Sequence, residues 1–425
     1  MVDFHMLYRF RYNLLALTQA AVGAANVLLL YSVYGFSDST SVFLIVLSVI
    51  GSVQLLISMA YDQFVFHYIE IRVEKPERAE TIFVGMLAIT STLGFACAAA
   101  VFGFAEYAIE IFANGFAGER LPLAIDLVKI LSMSLLFGSV LQLTQARLSG
   151  LGKIGWFYLL TILPQLLQAC VLLFASLCTI TVHWAALSLP VGQALSVLVG
   201  LLVVKPTFNL HLHSAKTIQR ILLDSSRIRA AHNIHNFFSL YIVNITLSLL
   251  PSHFASVFIL MKRVADTFLT VITGPLQRVL TNELGAAMHS GVHEQVRDRL
   301  RSLDLRLPVQ FGAILGAGWA VGFALSIGRW VDGEELRYGL ICFTALMFQA
   351  TLIATEIPYA LVSLALHRSL VFYLSNTIFL TALVSSLLLL RDVSIELSLP
   401  AGLALAQIFN FFIIRRFAKV ALRAN

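Results

Sequence analysis

The sequence predicts an all-α polytopic membrane protein, with about twelve transmembrane helices in two six-helix bundles around a central cavity. Three observations predict it. Apolar blocks of twenty residues or so recur along the whole 425-residue chain, which is 59% hydrophobic with a mean hydropathy of +0.86. Charged residues make up only 12%, against about 25% in soluble domains. The basic residues gather in alternate connectors between the apolar blocks. A transmembrane β-barrel would instead need alternating strands of about ten residues.

The apolar blocks fall at 12–34, 41–61, 82–105, 122–148, 154–182 and 185–204, then at 234–250, 254–280, 307–327, 340–366, 370–390 and 397–414. Most meet or approach the roughly 20 residues that a bilayer core demands. The seventh is short and carries Asn236 and Asn244. With the N-terminus inside, cytoplasmic segments hold 21 of the 29 Lys and Arg, among them Arg9, Arg11, Arg147, Lys153, Arg227, Arg297 and Arg415. Outward segments hold Arg120, Arg329, Arg337 and Arg391. This asymmetry places both termini in the cytoplasm. The first block is too long for a signal-peptide core and has no small-residue cleavage site, so it reads as an uncleaved span.

Between the halves, residues 206–233 turn polar and basic, with Lys216, Arg220, Arg227 and Arg229 separated by Leu and Ile at helical spacing. The pattern predicts an amphipathic cytoplasmic helix on the membrane surface. It divides the chain into an N-terminal bundle (1–205) and a C-terminal bundle (234–425), the layout of a two-bundle transporter.

Several function classes are disfavoured. The net charge of +6 is spread over connectors rather than gathered on one face, which argues against nucleic acid as a partner. Cys97, Cys170, Cys178 and Cys342 all lie in apolar blocks with no metal-ligand spacing, so no metal site is expected. There is no GxxxxGK[ST] phosphate loop, and the outward loops are too short for a large catalytic segment. Gly312, Gly316 and Gly318 read as close-packing positions between helices.

Function is sought in the ionisable groups inside spans, each of which costs about 2.5–3.5 kcal/mol at mid-helix on insertion scales. In the eighth block Arg263, Asp266, Thr267, Thr270, Thr273, Gly274 and Gln277 share one side of a helix, opposite Phe258, Phe268, Leu269 and Leu276. Such a helix can line a hydrated cavity, with Lys262 one step round it. Alternatively, Arg263 and Asp266 neutralise each other. The fourth block carries Asp126 and Lys129, read as a local ion pair near the outer mouth, with an ion, proton or gating role as the other reading. Glu356, two residues before Pro358, is an isolated acid suited to a proton, an ion or a structural role. Ser48, Ser52, Gln54, Gln165, Gln168 and Gln193 read as polar links between helices.

Three stretches carry a family likeness. They are GAANVLLLYSVYG at 23–35, FANGFA at 112–117, and MKRVADTFLTVITGPLQRVLTNELGAAMHSG at 261–291. In order and spacing they resemble the lipid II flippase family (MurJ, also called MviN), within the group that includes MATE exporters and polysaccharide flippases. The family's eighth span has an Arg followed three positions later by an acid, here Arg263 and Asp266. The family's first-span Arg and Asp are replaced here by Asn26, Val27 and Ser32, and its fourteen spans by twelve.

The resemblance implies a flippase, not an enzyme, in a bacterial cytoplasmic membrane. It would move a polyprenyl-diphosphate-linked saccharide to the outer leaflet by alternating access, among membrane lipids and cell-wall or polysaccharide synthesis proteins. Arg263, with Lys262, would receive the diphosphate, which a guanidinium binds bidentately. Asp266 would orient the Arg, and Thr270, Gln277 and Asn26 would line the site. No cofactor is required, and membrane potential or a monovalent cation could drive transport. Two other readings are a MATE-like cation-coupled exporter and an inactive scaffold in an assembly complex.

Overall fold

The computed structural model of the chain describes residues 2–424 except 59–63, 65–66, 69–70, 73–74, 179, 207–214, 290–292, 328–332, 366–368 and 391–393. Within helices it leaves undescribed the side chains of 2–13, 16, 224–232, 274–279, 281–289, 293, 295, 322–323, 325–327, 335, 364–365, 369–370, 395 and 423–424.

Among the described residues every regular element is a helix. The first compact unit, Met1–Ser252, contains α1 (Val2–Tyr34), α2 (Asp38–Ser58), α3 (Pro76–Gly103), α4 (Ala105–Phe112), α5 (Arg120–Gly150), α6 (Ile154–Leu177), α7 (Val182–Val204) and α8 (Ala215–Leu249). The second, His253–Asn425, is built from α9 (Ser252–His289), α10 (His293–Ile327), α11 (Gly333–Ala365), α12 (Ser369–Leu390) and α13 (Ile395–Ala424).

Helix ends follow local chemistry. α1 stops where Gly35 takes a left-handed φ of 67° and its N–H returns to the Tyr31 carbonyl at 2.9 Å. α5 stops similarly at Gly152, φ 71°, whose N–H reaches the Ser149 carbonyl. Pro76 opens α3 at a position where its missing N–H costs nothing.

In the first unit α5 is the hub, packing against α2, α3, α6 and α7, while α8 packs on α2. Small residues set the spacing. An added Cβ on Gly192 of α7 would lie 2.6 Å from the Pro164 Cα of α6, and one on Gly200 would lie 2.8 Å from the Thr144 methyl of α5. Gly115, in the FANGFA stretch, sits against the end of α8: its Cβ would meet the Leu249 nitrogen at 2.6 Å, and its N–H donates to Ser248 Oγ at 3.0 Å. In the second unit α13 packs against α11 and α12, and α10 against α11.

Among the described residues nine helical segments are long and apolar enough to cross a membrane: Leu17–Tyr34, Asp38–Ser58, Pro76–Gly103, Arg120–Gly150, Ile154–Leu177, Val182–Val204, Leu336–Ser363, Val371–Leu390 and Glu396–Leu422. They correspond to the first six and last three expected spans. The expected seventh, eighth and ninth spans lie in α8, α9 and α10, helices of 35, 38 and 35 residues in which polar and charged turns run on continuously from the apolar ones. The expected amphipathic connector and seventh span form one helix from Ala215. The two compact units part after that helix, at Ser252 and His253.

The glycine-packing expectation for α10 holds at one position of three. Gly318 lies against the Phe343 ring of α11, whereas Gly312 and Gly316 have nothing within 4 Å of an added Cβ. Gly312 and Gly316 are exposed, so no neighbouring helix needs their small size.

Gly192→Ala is expected to destabilise the protein by about 1–3 kcal/mol, since the methyl would overlap backbone rather than a movable side chain. Gly51→Ala, with open space around the added Cβ, is expected to be neutral or mildly stabilising. Thermal unfolding of the two purified variants, followed by loss of the monodisperse peak in detergent, checks the contrast.

Candidate functional site

The candidate site is built on α9. Arg263, Asp266 and Thr270 are exposed and recur at helical spacing, while Phe258 and Ala265 on the opposite side are buried. The amphipathic division expected from the sequence is present only in part, since Thr273 of the polar stripe is buried while Phe268 and Leu269 of the apolar side are half-buried. Gln277 carries a side chain outside the described residues.

The ion pair differs from expectation. Asp266 is held by Lys262, whose Nζ donates to Oδ1 at 3.1 Å and Oδ2 at 3.0 Å, and not by Arg263. The i,i+4 spacing stacks these side chains along the helix. Among the described residues the Arg263 side chain has no ion-pair or hydrogen-bond partner, so its five N–H donors are uncommitted. The Thr stripe is less open than its composition implies. Thr267, Thr270 and Thr273 each donate to the carbonyl four residues back, on Arg263, Asp266 and Leu269, at 2.8, 2.8 and 2.7 Å. Their hydroxyl protons are spent, and only acceptor capacity remains.

The other sequence candidates lie apart. Asn26 is buried between α1 and α6, its Nδ2 donating to the Gln165 carbonyl at 2.8 Å. Asp126 and Lys129 form no ion pair with each other, because Asp126 is exposed while Lys129 sinks part-way into the packed side of α5. Glu356 lies in the second unit, where Gln407 Nε2 donates to Oε2 at 2.6 Å and Asn410 Nδ2 reaches Oε1 and Oε2 at 3.0 and 2.9 Å. Several lone amides link helices: Gln54 donates to Ser139 Oγ at 2.9 Å and Gln145 to Thr161 Oγ1 at 2.9 Å.

Two charge clusters were not legible as clusters in the sequence. Arg147, counted there only as an orienting charge, is 3% exposed. It pairs with Glu80 of α3, donates to the Val204 carbonyl at the end of α7 at 3.4 Å, and lies 4.2 Å above the Phe83 ring. Tyr68 donates to Glu80 Oε1 at 3.2 Å. Burial raises the Tyr68 pKa, which keeps the hydroxyl a neutral donor. The second unit repeats the chemistry. Arg415 donates to Asp304 Oδ2 at 2.6 Å, Tyr359 donates to the same oxygen at 2.8 Å, and the guanidinium lies over the Tyr359 and Phe411 rings. The available signal was opposite charges at the same ends of apolar blocks, with an aromatic nearby.

No protein-family model matches the chain, and no curated protein matches it in sequence. Solved structures do match its fold. One is the lipid II flippase MurJ in an inward closed conformation, with TM-score 0.78, 12% identity, and 96% of this chain covering 87% of that one. The MATE multidrug transporter DinF-BH gives TM-score 0.71 at 14% identity, covering 97% and 95%. A MOP-superfamily transporter from Pyrococcus furiosus gives 0.68 at 14%, covering 98% and 96%. The fold is that of MurJ and the MOP transporters. With nine described segments long and apolar enough to cross a membrane, the chain is a multi-pass membrane protein.

Breaking the buried cluster should be costly and breaking the exposed pair should not. Glu80→Ala is expected to cost about 3–5 kcal/mol, because it leaves the buried Arg147 charge uncompensated, and Arg147→Ala is expected to cost less, because the Glu80 it leaves behind is part-exposed. Lys262→Ala is expected to cost under about 0.5 kcal/mol. Unfolding midpoints of the three variants, compared at low and high salt, separate the two cases.

Proposed function

We propose that this protein is a flippase that carries a polyprenyl-diphosphate-linked saccharide from the cytoplasmic to the outer leaflet of a bacterial cytoplasmic membrane, by alternating access. The observation that carries the reading is Arg263, exposed on the polar side of α9 with no partner among the described residues, in a chain with the fold of a lipid II flippase. A diphosphate is the part of such a cargo that most resists hydrocarbon, and an unpaired guanidinium offers it bidentate hydrogen bonds. Lys262 would supply a second positive charge. Asp266, already paired with Lys262, would take that Lys back when the headgroup leaves, in place of the Arg-orienting role first assigned to it. Thr270 and Gln277 would flank the headgroup, while Asn26 would act by holding α1 to α6.

The reading includes twelve spans, the polar turns of α8, α9 and α10 being those that face protein or water rather than lipid. It includes cytoplasmic termini, from the placement of Lys and Arg. An inside-negative potential would help an anionic headgroup leave by about 2.3 kcal/mol per charge per 100 mV if it crosses the whole drop. A second reading, a cation-coupled exporter like the MATE transporters, is favoured by one observation: among the described residues, the acid Glu356 has no basic partner.

Flipping of a fluorescent polyprenyl-diphosphate saccharide in proteoliposomes tests the proposal. Arg263→Ala is expected to cut the rate at least tenfold while leaving the unfolding midpoint unchanged, and Arg263→Lys is expected to restore part of it. Full activity in Arg263→Ala would reduce Arg263 to a surface charge, and no flipping by folded wild type across several headgroups would favour the exporter.

A further inference from the structure

The C-terminal end of α8 is held to the first unit by groups from two other places in the chain. Gly115, between α4 and α5, donates its N–H to Ser248 Oγ at 3.0 Å, and it lies so close that an added Cβ would meet the Leu249 nitrogen at 2.6 Å. Arg120, the first residue of α5, donates from Nη1 to the Leu250 carbonyl at 3.3 Å, with its guanidinium 4.8 Å from the centre of the Phe116 ring. Asp38, the first residue of α2, accepts from the Ser252 hydroxyl and lies 3.6 Å from Arg120 Nε. Further back along α8, Phe237 and Tyr241 meet the Phe112 ring edge-on, with centroids 5.6 Å apart in each case. Ser252 is the last residue of the first unit, so these contacts fasten the end of that unit.

Two observations mark this clasp as costly to keep closed. The first is Arg120. Its Nε and Nη2 atoms are buried and have no hydrogen-bond partner among the described residues. The 3.6 Å step to Asp38 is too long for a hydrogen bond. A guanidinium and a carboxylate this near can close into a bidentate pair. Here Arg120 reaches for the Leu250 carbonyl instead, so it serves two partners and satisfies neither fully. The second is Asn244, about two turns before Ser252. It is 0% exposed, and neither its Nδ2 nor its Oδ1 has a partner among the described residues. Buried amides are rarely left so, because each orphaned group keeps its full desolvation cost. Both costs fall if the last turns of α8 move away. The Leu250 carbonyl then lets go, Arg120 closes on Asp38, and Asn244 meets water.

We infer that Gly115, Arg120 and Asp38 form a latch on the C-terminal end of α8, loaded by the orphaned groups of Arg120 and Asn244, whose release frees residues 244–252 from the rest of the first unit. Arg120 is the switching group, exchanging the Leu250 carbonyl for the Asp38 carboxylate. Phe112 keeps Phe237 and Tyr241 in place, so the movement begins beyond them. The inference concerns movement within the first unit and stands whatever the cargo.

The test is the distance between two nitroxide labels on the purified full chain in lipid nanodiscs, by double electron–electron resonance, with the four native cysteines replaced by alanine. The labels go on Leu249→Cys in α8 and Met133→Cys in α5, positions 55% and 48% exposed. Gly115→Ala and Ser248→Ala weaken only the clasped state, and each is expected to raise a longer-distance population by about threefold or more. Asp38→Asn still accepts from Ser252 but no longer competes for Arg120. Asn244→Leu removes the orphaned amide. Added to Gly115→Ala or Ser248→Ala, either change should cut the longer population by roughly half or more, and Asn244→Leu alone should raise the unfolding midpoint. Labels at Met133 and Leu195, on α5 and α7, should keep one distance throughout, which separates release from loss of fold. If Gly115→Ala does not fold, Ser248→Ala carries the test. Distances unchanged in both clasp variants, or a longer population that grows with Asp38→Asn, would overturn the latch and leave Arg120 a fixed tie. A midpoint lowered by Asn244→Leu would show that amide to be bonded and would remove the load.

Discussion

A charge removed from water must be answered by another group, as at the buried Arg147 of the first unit, and the half-buried Arg415 of the second unit is answered in the same way. Arg147 is buried against Phe83 and bound to Glu80, and its remaining bond goes to the last carbonyl of α7. One side chain thereby ties together the start of α3, the end of α5 and the end of α7. Arg415, Asp304 and Tyr359 tie α13, α10 and α11 by the same chemistry. An ion pair of this kind gains little over a well-packed apolar substitute, but it penalises every arrangement that separates its members.

The rest of the packing is shaped around those fixed points. Gly94 lets α3 approach α5 closely enough that an added Cβ would lie 3.0 Å from the Leu135 carbonyl. Gly200 does the same for α7 beside Thr144. In a bilayer the hydrophobic effect does not drive helices together, so close backbone approach and shared polar bonds must do it. Gln54 with Ser139 and Gln145 with Thr161 supply such bonds within the first unit. The glycines and the amides serve one purpose there: they let α5 pack against several neighbours at once.

The sequence made the helices legible and left their pairing obscure. Apolar block length located the spans that later proved long enough, because that property belongs to each segment alone. It could not show that Arg147 is buried, since Glu80 lies 67 positions away and only the fold brings it close. Spacing along α9 allowed Asp266 either Lys262 or Arg263 as partner, and side-chain direction chose the four-residue step. The continuity of α8 was hidden by composition: a basic amphipathic stretch and an apolar stretch read as connector and span, yet run in one helical phase.

What distinguishes the candidate functional groups is that they are charges the fold has not spent. Arg147 and Arg415 cannot exchange partners without unlocking a unit, so neither suits a ligand that must come and go. Among the described residues Arg263 faces no such constraint, because Asp266, three positions on, is already satisfied by Lys262. Glu356 is the corresponding case of opposite sign: among the described residues no basic group pairs with it, and its bonds come from Gln407 and Asn410. A transporter needs rigid bodies and reversible sites together, and these demands conflict if the same ions serve both. Here the two demands fall on different groups: Arg415 of α13 is bound to Asp304, while Arg263 of α9 has no partner among the described residues.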